Sequence, residues 1–571
     1  MNVQTVPAQA VDPITADIII NRVRAIPNLV DKDITRTSFS LLISEYKDYS
    51  VGILDCDARL VAQAKGGLPI FIANALSAAI RDGLKVYGKK RLQSGDVIIS
   101  NHGATMGQHL NNVAMYTPIR VSEDDDGLVG FCAVLMHWVD IGGIVVGSCL
   151  SYEAREIYQE GIQYRSVKLI KEGERIEEMF RIIEENTRFP EMVLGDLESQ
   201  IAGCLTGRDM ALNVVASHGA ATVKQALRML LDRSERVTRA EIRKIPNGIY
   251  RASSFLDSDP GNPGETVPVE IAVHVEDEDI IVDLDGIGRQ AIGPINAGYE
   301  GGAVAAVRIA CKYLFAVDIP ANEGTFRPIT LKIREGTFLS ARPGSALSGS
   351  GHTMATVVDT IVKAFADVLP QRVPAGHHGT YGLHVIFGRR PSDQSFFQHI
   401  ESTIGGWGAS RDRDGSGPYR SYVHGDTLEV PAELQEAENP YRIEMVRLRQ
   451  DSGGPGEYRG GLGVEKTYRI LASCTLSVNI ERTKCRPWGL HGGGDGLPGR
   501  LEVEKPDGKR IVITKGELPL EVDDLVHVFS AGGGGYGEVR CRNPEKVRRD
   551  IELGFVSQTA ARETYGFTRP L

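Results

Sequence analysis

The stretch 95–143 constrains this chain more than any other. Two apolar runs, Val113–Val121 and Leu128–Met136, flank a short acidic link, SEDDDG. Runs of that length bounded by turn residues read as strands, and the link reads as a hairpin turn near Asp124–Gly127. A third run, Val97–Ser100, leads into a loop rich in His, Asn and Gly, NHGATMGQHLNN. The hairpin puts His109 and Asn112, at the start of one strand, at the same end as His137, which closes the other. Two histidines with oxygen donors beside them suit Zn²⁺, Mn²⁺ or Fe²⁺. The plainer reading is a polar loop with two satisfied histidines, since no rigid motif such as HExxH is present. Asp48 sits where another apolar strand begins, and a carboxylate there would complete a metal site; taken alone it reads as a surface or capping residue.

The rest of the chain reads as a protein with a large core. Hydrophobic residues make up 42% and charged residues 24% of its 571 residues. It holds 64 glycines, against roughly 40 expected at average usage, which implies many tight turns and much β structure. Net charge is −10 with no basic run, which argues against a nucleic-acid partner. Eight scattered cysteines without a CxxC read as reduced thiols of a cytosolic protein. No signal peptide and no membrane span is expected.

Met1–Ala10 reads as a loose tail, and Asp12–Pro13 as the cap of a first helix. Residues 38–63 read as two strands around a charged interruption. Helices are expected over Leu68–Tyr87, Glu153–Gly161, Lys168–Asn186 and, as a pair broken near His218–Gly219, Pro190–Arg236. Alternation over 269–288 predicts a second hairpin, followed by helices at Ala303–Phe315 and Thr353–Val368. Asn439–Ala531 reads as all-β, with a closing helix over Pro544–Tyr565. The fold class is therefore α+β and multi-domain. Its expected parts are an N-terminal α+β domain over 1–240 with the metal site, a central α/β domain over 241–438, and a β-rich domain over 439–571.

Other motifs carry less. Gly532–Gly537 spells GxGxxG after a strand-like run, but the residues after it begin a second β step and then a Pro; a glycine turn explains it. No GxxxxGK[ST] exists, so the chain has no P-loop of its own. Ser44–Lys47 spells SxxK without its companion motifs, and no GxSxG is present. His377 and His378 are adjacent, so on an extended segment only one of them faces a given site. Trp407, flanked by glycines, reads as a core residue.

These residues resemble the hydantoinase B family, the smaller subunit of ATP-dependent hydantoinases, 5-oxoprolinases and lactamases, related to subunits of acetone and acetophenone carboxylases. The resemblance runs nearly end to end: DPIT at Asp12, KDYSVGILD at Lys47, GDVIISN at Gly95, HWVDIGG at His137, PANEGTFRPI at Pro320, GGWGA at Gly405, DSGGPGEYRGGLG at Asp451 and AGGGGYG at Ala531. It implies a separate A subunit that binds ATP and phosphorylates the substrate, and a B subunit in which water held by a metal opens a cyclic amide. A ketone carboxylase subunit is the alternative it implies. The family's metal ligands fall on Asp48, His109, Asn112 and His137. Where the family commonly has NDPYxGxTHLPD this chain has NHGATMGQHLNN, an imperfect match in which His102 stands for the first Asp and Asn112 for the last. Asn can ligate through oxygen but brings no charge. Asp140 and His102 are the candidate catalytic side chains beside these ligands, and Asp140 can alternatively ligate or orient His137.

Overall fold

The computed structural model describes residues 11–316 and 318–568; the tail read over Met1–Ala10 lies outside them. Its first sheet holds seven antiparallel strands: β1 Tyr49–Asp55, β2 Leu60–Gln63, β3 Val97–Ser100, β4 Asn112–Arg120, β5 Leu128–His137, β6 Val167–Lys171 and β7 Glu174–Arg175, in the order β2-β1-β5-β4-β3-β6-β7. The central strands β1, β3, β4 and β5 are buried along their whole length. One face, with Val113, Met115, Val134 and Met136, packs under helix Pro13–Thr37 and the helix pair Pro190–His218 and Ala220–Ile242. The other, with Ala114, Tyr116, Phe131 and Leu135, joins a second core that runs on to residues 488. Burial on both faces is why these strands read as continuous apolar runs and not as alternation. Asp12 caps the first helix, its Oδ1 accepting from the amides of Ile14 and Thr15, with Pro13 in the first turn.

A second sheet contains β8 Gly248–Leu256, β9 Val267–Glu276, β10 Asp279–Asp283 and β11 Ile329–Lys332, with β9 and β10 forming the expected hairpin. Helices Ala305–Phe315 and Ser350–Lys363 pack together beside it. The strands that follow are β12 Leu383–Arg389, β13 Phe396–Glu401, β14 Tyr441–Leu448, β15 Val464–Ile470, β16 Cys474–Asn479, β17 Arg500–Glu504, β18 Arg510–Val512, β19 Lys515–Leu520 and β20 Leu525–Phe529. They make two sheets, β13-β12-β16-β19 and β14-β15-β20-β17-β18. The first of these pairs strands from both sides of the boundary drawn at 438, and the second core joins residues from both sides of 240. The three regions thus share sheets and cores.

Several local expectations are corrected. Leu41–Ser44 is a helical turn, not a strand. The helix expected over Leu68–Tyr87 is two, Pro69–Ile72 and Ala75–Tyr87, because Asn74 leaves the helical region (φ −162°, ψ −17°) and its side-chain amide is tied to the Glu300 carbonyl. Of Glu153–Gly161 only the turn Ile157–Gln159 is helical. Lys168–Asn186 begins as the β6–β7 hairpin, turned by Glu172 and Gly173 at positive φ, before helix Glu177–Glu185. The closing helix divides at Gly554 into Pro544–Glu552 and Gln558–Glu563. Helix pair Pro190–His218 and Ala220–Ile242 breaks at Gly219, where it was expected. Among the described residues no helix is long and apolar enough to cross a membrane.

Candidate functional site

Three neighbouring strands deliver the candidate ligands to one sheet end. Asn112, the first residue of β4, lies opposite His137, the last of β5. The amide of His137 donates to the carbonyl of Asp48, the residue just before β1 (3.0 Å). Lys47, at φ +67°, makes the kink that starts this strand. His109 joins them through a tight turn, closed by the Asn112 amide on the His109 carbonyl (3.2 Å). The ring centroids of His109 and His137 are 5.0 Å apart.

The loop that carries His109 is fixed by asparagines. Asn101 Nδ2 donates to the carbonyls of Leu110 and Ile162, and Asn111 Nδ2 to those of Trp138 and Gly147. Gly107 turns the chain at φ +70°; a Cβ there would stand 2.8 Å from the Gly301 nitrogen. Only glycine fits a left-handed turn pressed against another backbone. Asn101 and Asn111 carry no spacing signal, since each is recognised by backbone carbonyls distant in sequence.

The sheet end opens into a cavity of about 40 Å³, room for an ion and a few waters. Asp48, His109, Asn112 and His137 line one wall; Ser348, His352, Tyr381 and His424 line the other. This second wall escaped sequence reasoning because its residues come from separate loops and a helix start. Asp48 Oδ1, His109 Nδ1, Asn112 Oδ1 and His137 Nδ1 are all inaccessible to solvent and without a hydrogen-bond partner, as are His352 Nδ1, His424 Nδ1 and Ser348 Oγ. Buried polar atoms are rarely left so, and a cluster of them marks a place built for something else. Burial raises Asp48 to about 7, although Arg420 opposes the shift. Burial lowers His109 to about 4 and His137 well below its ordinary value, helped by His109. Across the cavity, burial and Lys515 push His352 down to about 3. All these imidazoles are neutral at pH 7, the form that donates a lone pair to a metal.

Among the described residues no three His, Cys, Asp or Glu side chains gather closely enough to form a finished ligand set. What stands there is a histidine pair flanked by one carboxylate and one amide oxygen. The donor chemistry suits a divalent transition ion.

The hydantoinase B/oxoprolinase family model matches residues 12–539. The chain belongs to that family. An uncharacterized protein of Methanocaldococcus jannaschii is 32% identical over 562 residues, covering 97% of this chain and 96% of that protein. A solved structure of the ATP-dependent caprolactamase from Pseudomonas jessenii superposes with a TM-score of 0.90 at 27% identity, covering 98% of this chain and 97% of that one. A nucleotide-free acetone carboxylase structure superposes with a TM-score of 0.88 over 97% of this chain and 79% of that one; at 18% identity this shows a shared fold.

The two candidate catalytic residues of this family member do not line the cavity. Asp140 is fully buried, but both its oxygens are used: Ser148 Oγ donates to Oδ1 (2.7 Å), the Arg188 amide donates to Oδ2 (2.7 Å), and the Arg188 guanidinium pairs with it at 3.0 Å. It pins Arg188 and the 143–148 turn, and makes no hydrogen bond to His137. His102 is half-buried and its Nδ1 bonds Thr105 Oγ1 (2.8 Å), beside Asp82 and Arg165. Neither of the adjacent histidines His377 and His378 reaches the cavity; His377 Nδ1 is bound by Asp359 (3.0 Å). Gly532–Gly535 are packed against the backbones of Ser452, Trp407, Trp488 and Pro455, a glycine turn and not a nucleotide loop.

Proposed function

We propose that the chain is the B subunit of an ATP-dependent cyclic-amide hydrolase, opening a hydantoin, 5-oxoproline or lactam ring on a substrate that a partner A-type subunit has phosphorylated. The observation that carries this reading is the cavity where four unpartnered donor atoms converge, from Asp48 just before β1, from β4 and β5, and from the loop of His109. Family membership and the likeness to caprolactamase support the reaction class. Because the sequence has no P-loop, the phosphoryl donor is assigned to the partner.

In this reading His109, His137, Asp48 and Asn112 hold a divalent transition ion, zinc, manganese or iron. Such an ion, when bound, would supply Lewis acidity and would favour deprotonation of water at neutral pH. The chain's own residues do the rest. Depth excludes bulk water, which strengthens every electrostatic contact in the cavity. Burial leaves His352 and His424 unprotonated on the opposite wall, with Tyr46 Oη 3.4 Å from His424 Nε2, so in this reading they would act as acceptors for a proton released by the attacking water.

The test is reconstitution with an A-type partner and a panel of cyclic amides and ketones, with and without bicarbonate, following ATP consumption and ring opening. ATP-dependent ring opening, and a stoichiometric transition metal in protein purified without chelator, are expected. Bicarbonate-dependent ATP use with a ketone would replace this reading by the carboxylase one.

A further inference from the structure

Asn112 presents a question that electron counting at the site cannot answer: which end of its amide faces the cavity. An amide side chain can be turned over with little change in shape, so its direction must come from a neighbour able to play only one role. The Ile70 carbonyl is such a neighbour, since a carbonyl oxygen only accepts. It accepts from Gln108 Nε2 at 2.8 Å. Gln108 Oε1 must then face the other way, where it accepts from Asn112 Nδ2 at 3.0 Å. Asn112 Oδ1 is thereby turned away from Gln108, inaccessible and without a partner, on the wall shared with His109 and His137. Both amide side chains are 1% exposed, so water does not compete for these bonds. The peptide that carries this carbonyl is itself held by the Phe71 amide on the Leu68 carbonyl (3.0 Å), and the Ile70 amide reaches the Val423 carbonyl (3.3 Å), next to His424 on the opposite wall.

We propose that Gln108 is a positioning residue that locks Asn112 with its amide oxygen toward the His109–His137 pair, making that corner of the site a neutral oxygen donor and setting it against a carboxylate. The inference rests on the metal reading given above. An ionised Asp at 112 would put one oxygen against Gln108 Oε1, two acceptors with no proton between them. Turning Gln108 over would only move the conflict to Ile70, because Oε1 would then meet the carbonyl. A buried acceptor facing another acceptor is costly wherever it is placed. The free carboxyl relieves the conflict by keeping a proton, which a cation must then displace.

The relay predicts coupling between the two positions. Zn²⁺ and Mn²⁺ affinities of the full chain are measured by competition with a chelator for the wild type, Gln108→Ala, Asn112→Asp and the double variant. Gln108→Ala alone weakens binding by about tenfold, the scale of losing a residue that orients a ligand. Asn112→Asp tightens binding at least about fivefold more in the Gln108→Ala background than with Gln108 in place, a coupling of ordinary size for residues in contact. If the alanine variant does not fold, Gln108→Met, close in volume, carries the same comparison. Additive effects within about twofold overturn the role of Gln108 and leave the metal reading standing. A wild type that takes up neither ion overturns both.

Discussion

The deeply buried, histidine-rich regions of this molecule behave in two opposite ways. Around Asp359, Arg482 and Trp488 Nε1 each approach Oδ2 at 2.6 Å and His377 approaches Oδ1 at 3.0 Å. Around Glu401, Lys466 stands at 2.6 Å and His399 at 3.1 Å. Burial alone would raise both carboxyl groups, yet their partners outweigh it and hold them below the ordinary range. At the strand-end cavity the balance is reversed: burial wins at Asp48, and Oδ1 has no partner. Depth and histidine content are therefore poor guides to a site. The informative quantity is whether the charges and lone pairs answer one another. By that measure Asp140, three residues after His137 in sequence, belongs with the scaffold.

The sharpest way to break this comparison is to remove a member of each region. His137→Ala should cut turnover of the reconstituted enzyme by more than about a hundredfold, beyond the cost of losing a ligand's supporting partner. Its melting temperature should hardly move; a matching loss of fold would put His137 with the scaffold. Asp359→Ala should do the reverse, leaving Arg482 buried and unpaired, and should cost about 3–5 kcal/mol in denaturant titration. Unchanged stability would dissolve the distinction.

Glu160 tests the boundary between the two. Its Oε1 accepts from the amides of Leu347 and Ser348 (2.7 and 2.8 Å), while Oε2 has no partner. Burial, only partly offset by those amides, raises it to about 8. Between its unfolded value near ~4.3 and 8 the native state keeps a proton the unfolded chain has lost. That stabilisation is complete at low pH and disappears as pH rises through 8. Glu160→Gln should then match the wild type near pH 4 and exceed it above pH 8, by roughly a few kcal/mol. Thermal melts across pH 4–9 with a flat difference would refute the shift. Asp140→Asn should cost about 1–3 kcal/mol in stability while metal affinity stays within about twofold. Smallest of all, His102→Ala should leave turnover within about twofold; a larger fall would return His102 to the chemistry.

The β4–β5 hairpin was legible because both strands are long, apolar and joined by a single acidic turn, which leaves one register that buries them. The break at Gly219 was legible for the same kind of reason, one glycine in a long helical period. Glu172–Gly173 was not, since Lys168–Glu185 has helical composition and only pairing of β6 with β3 makes its start a strand. Of the candidate site, the four residues placed at the sheet end came from hairpin geometry and family resemblance together. The opposite wall was invisible: Ser348, His352, Tyr381 and His424 meet only through tertiary packing. Asp140 misled because proximity to His137 in sequence says nothing about Arg188, which lies 48 residues further on and claims it.

The strand order also sets a timetable. The first sheet is complete once Arg175 has been made, whereas β12 pairs with β16, and β16 with β19, which ends at Leu520. On a ribosome adding 5–20 residues per second, the helix ending at Ile242, which covers one face of the first sheet, is made roughly 14 to 56 seconds before the strands that lock the loops opposite Asp48, His109, Asn112 and His137. A chain built in this order meets its solutes first and closes over them afterwards.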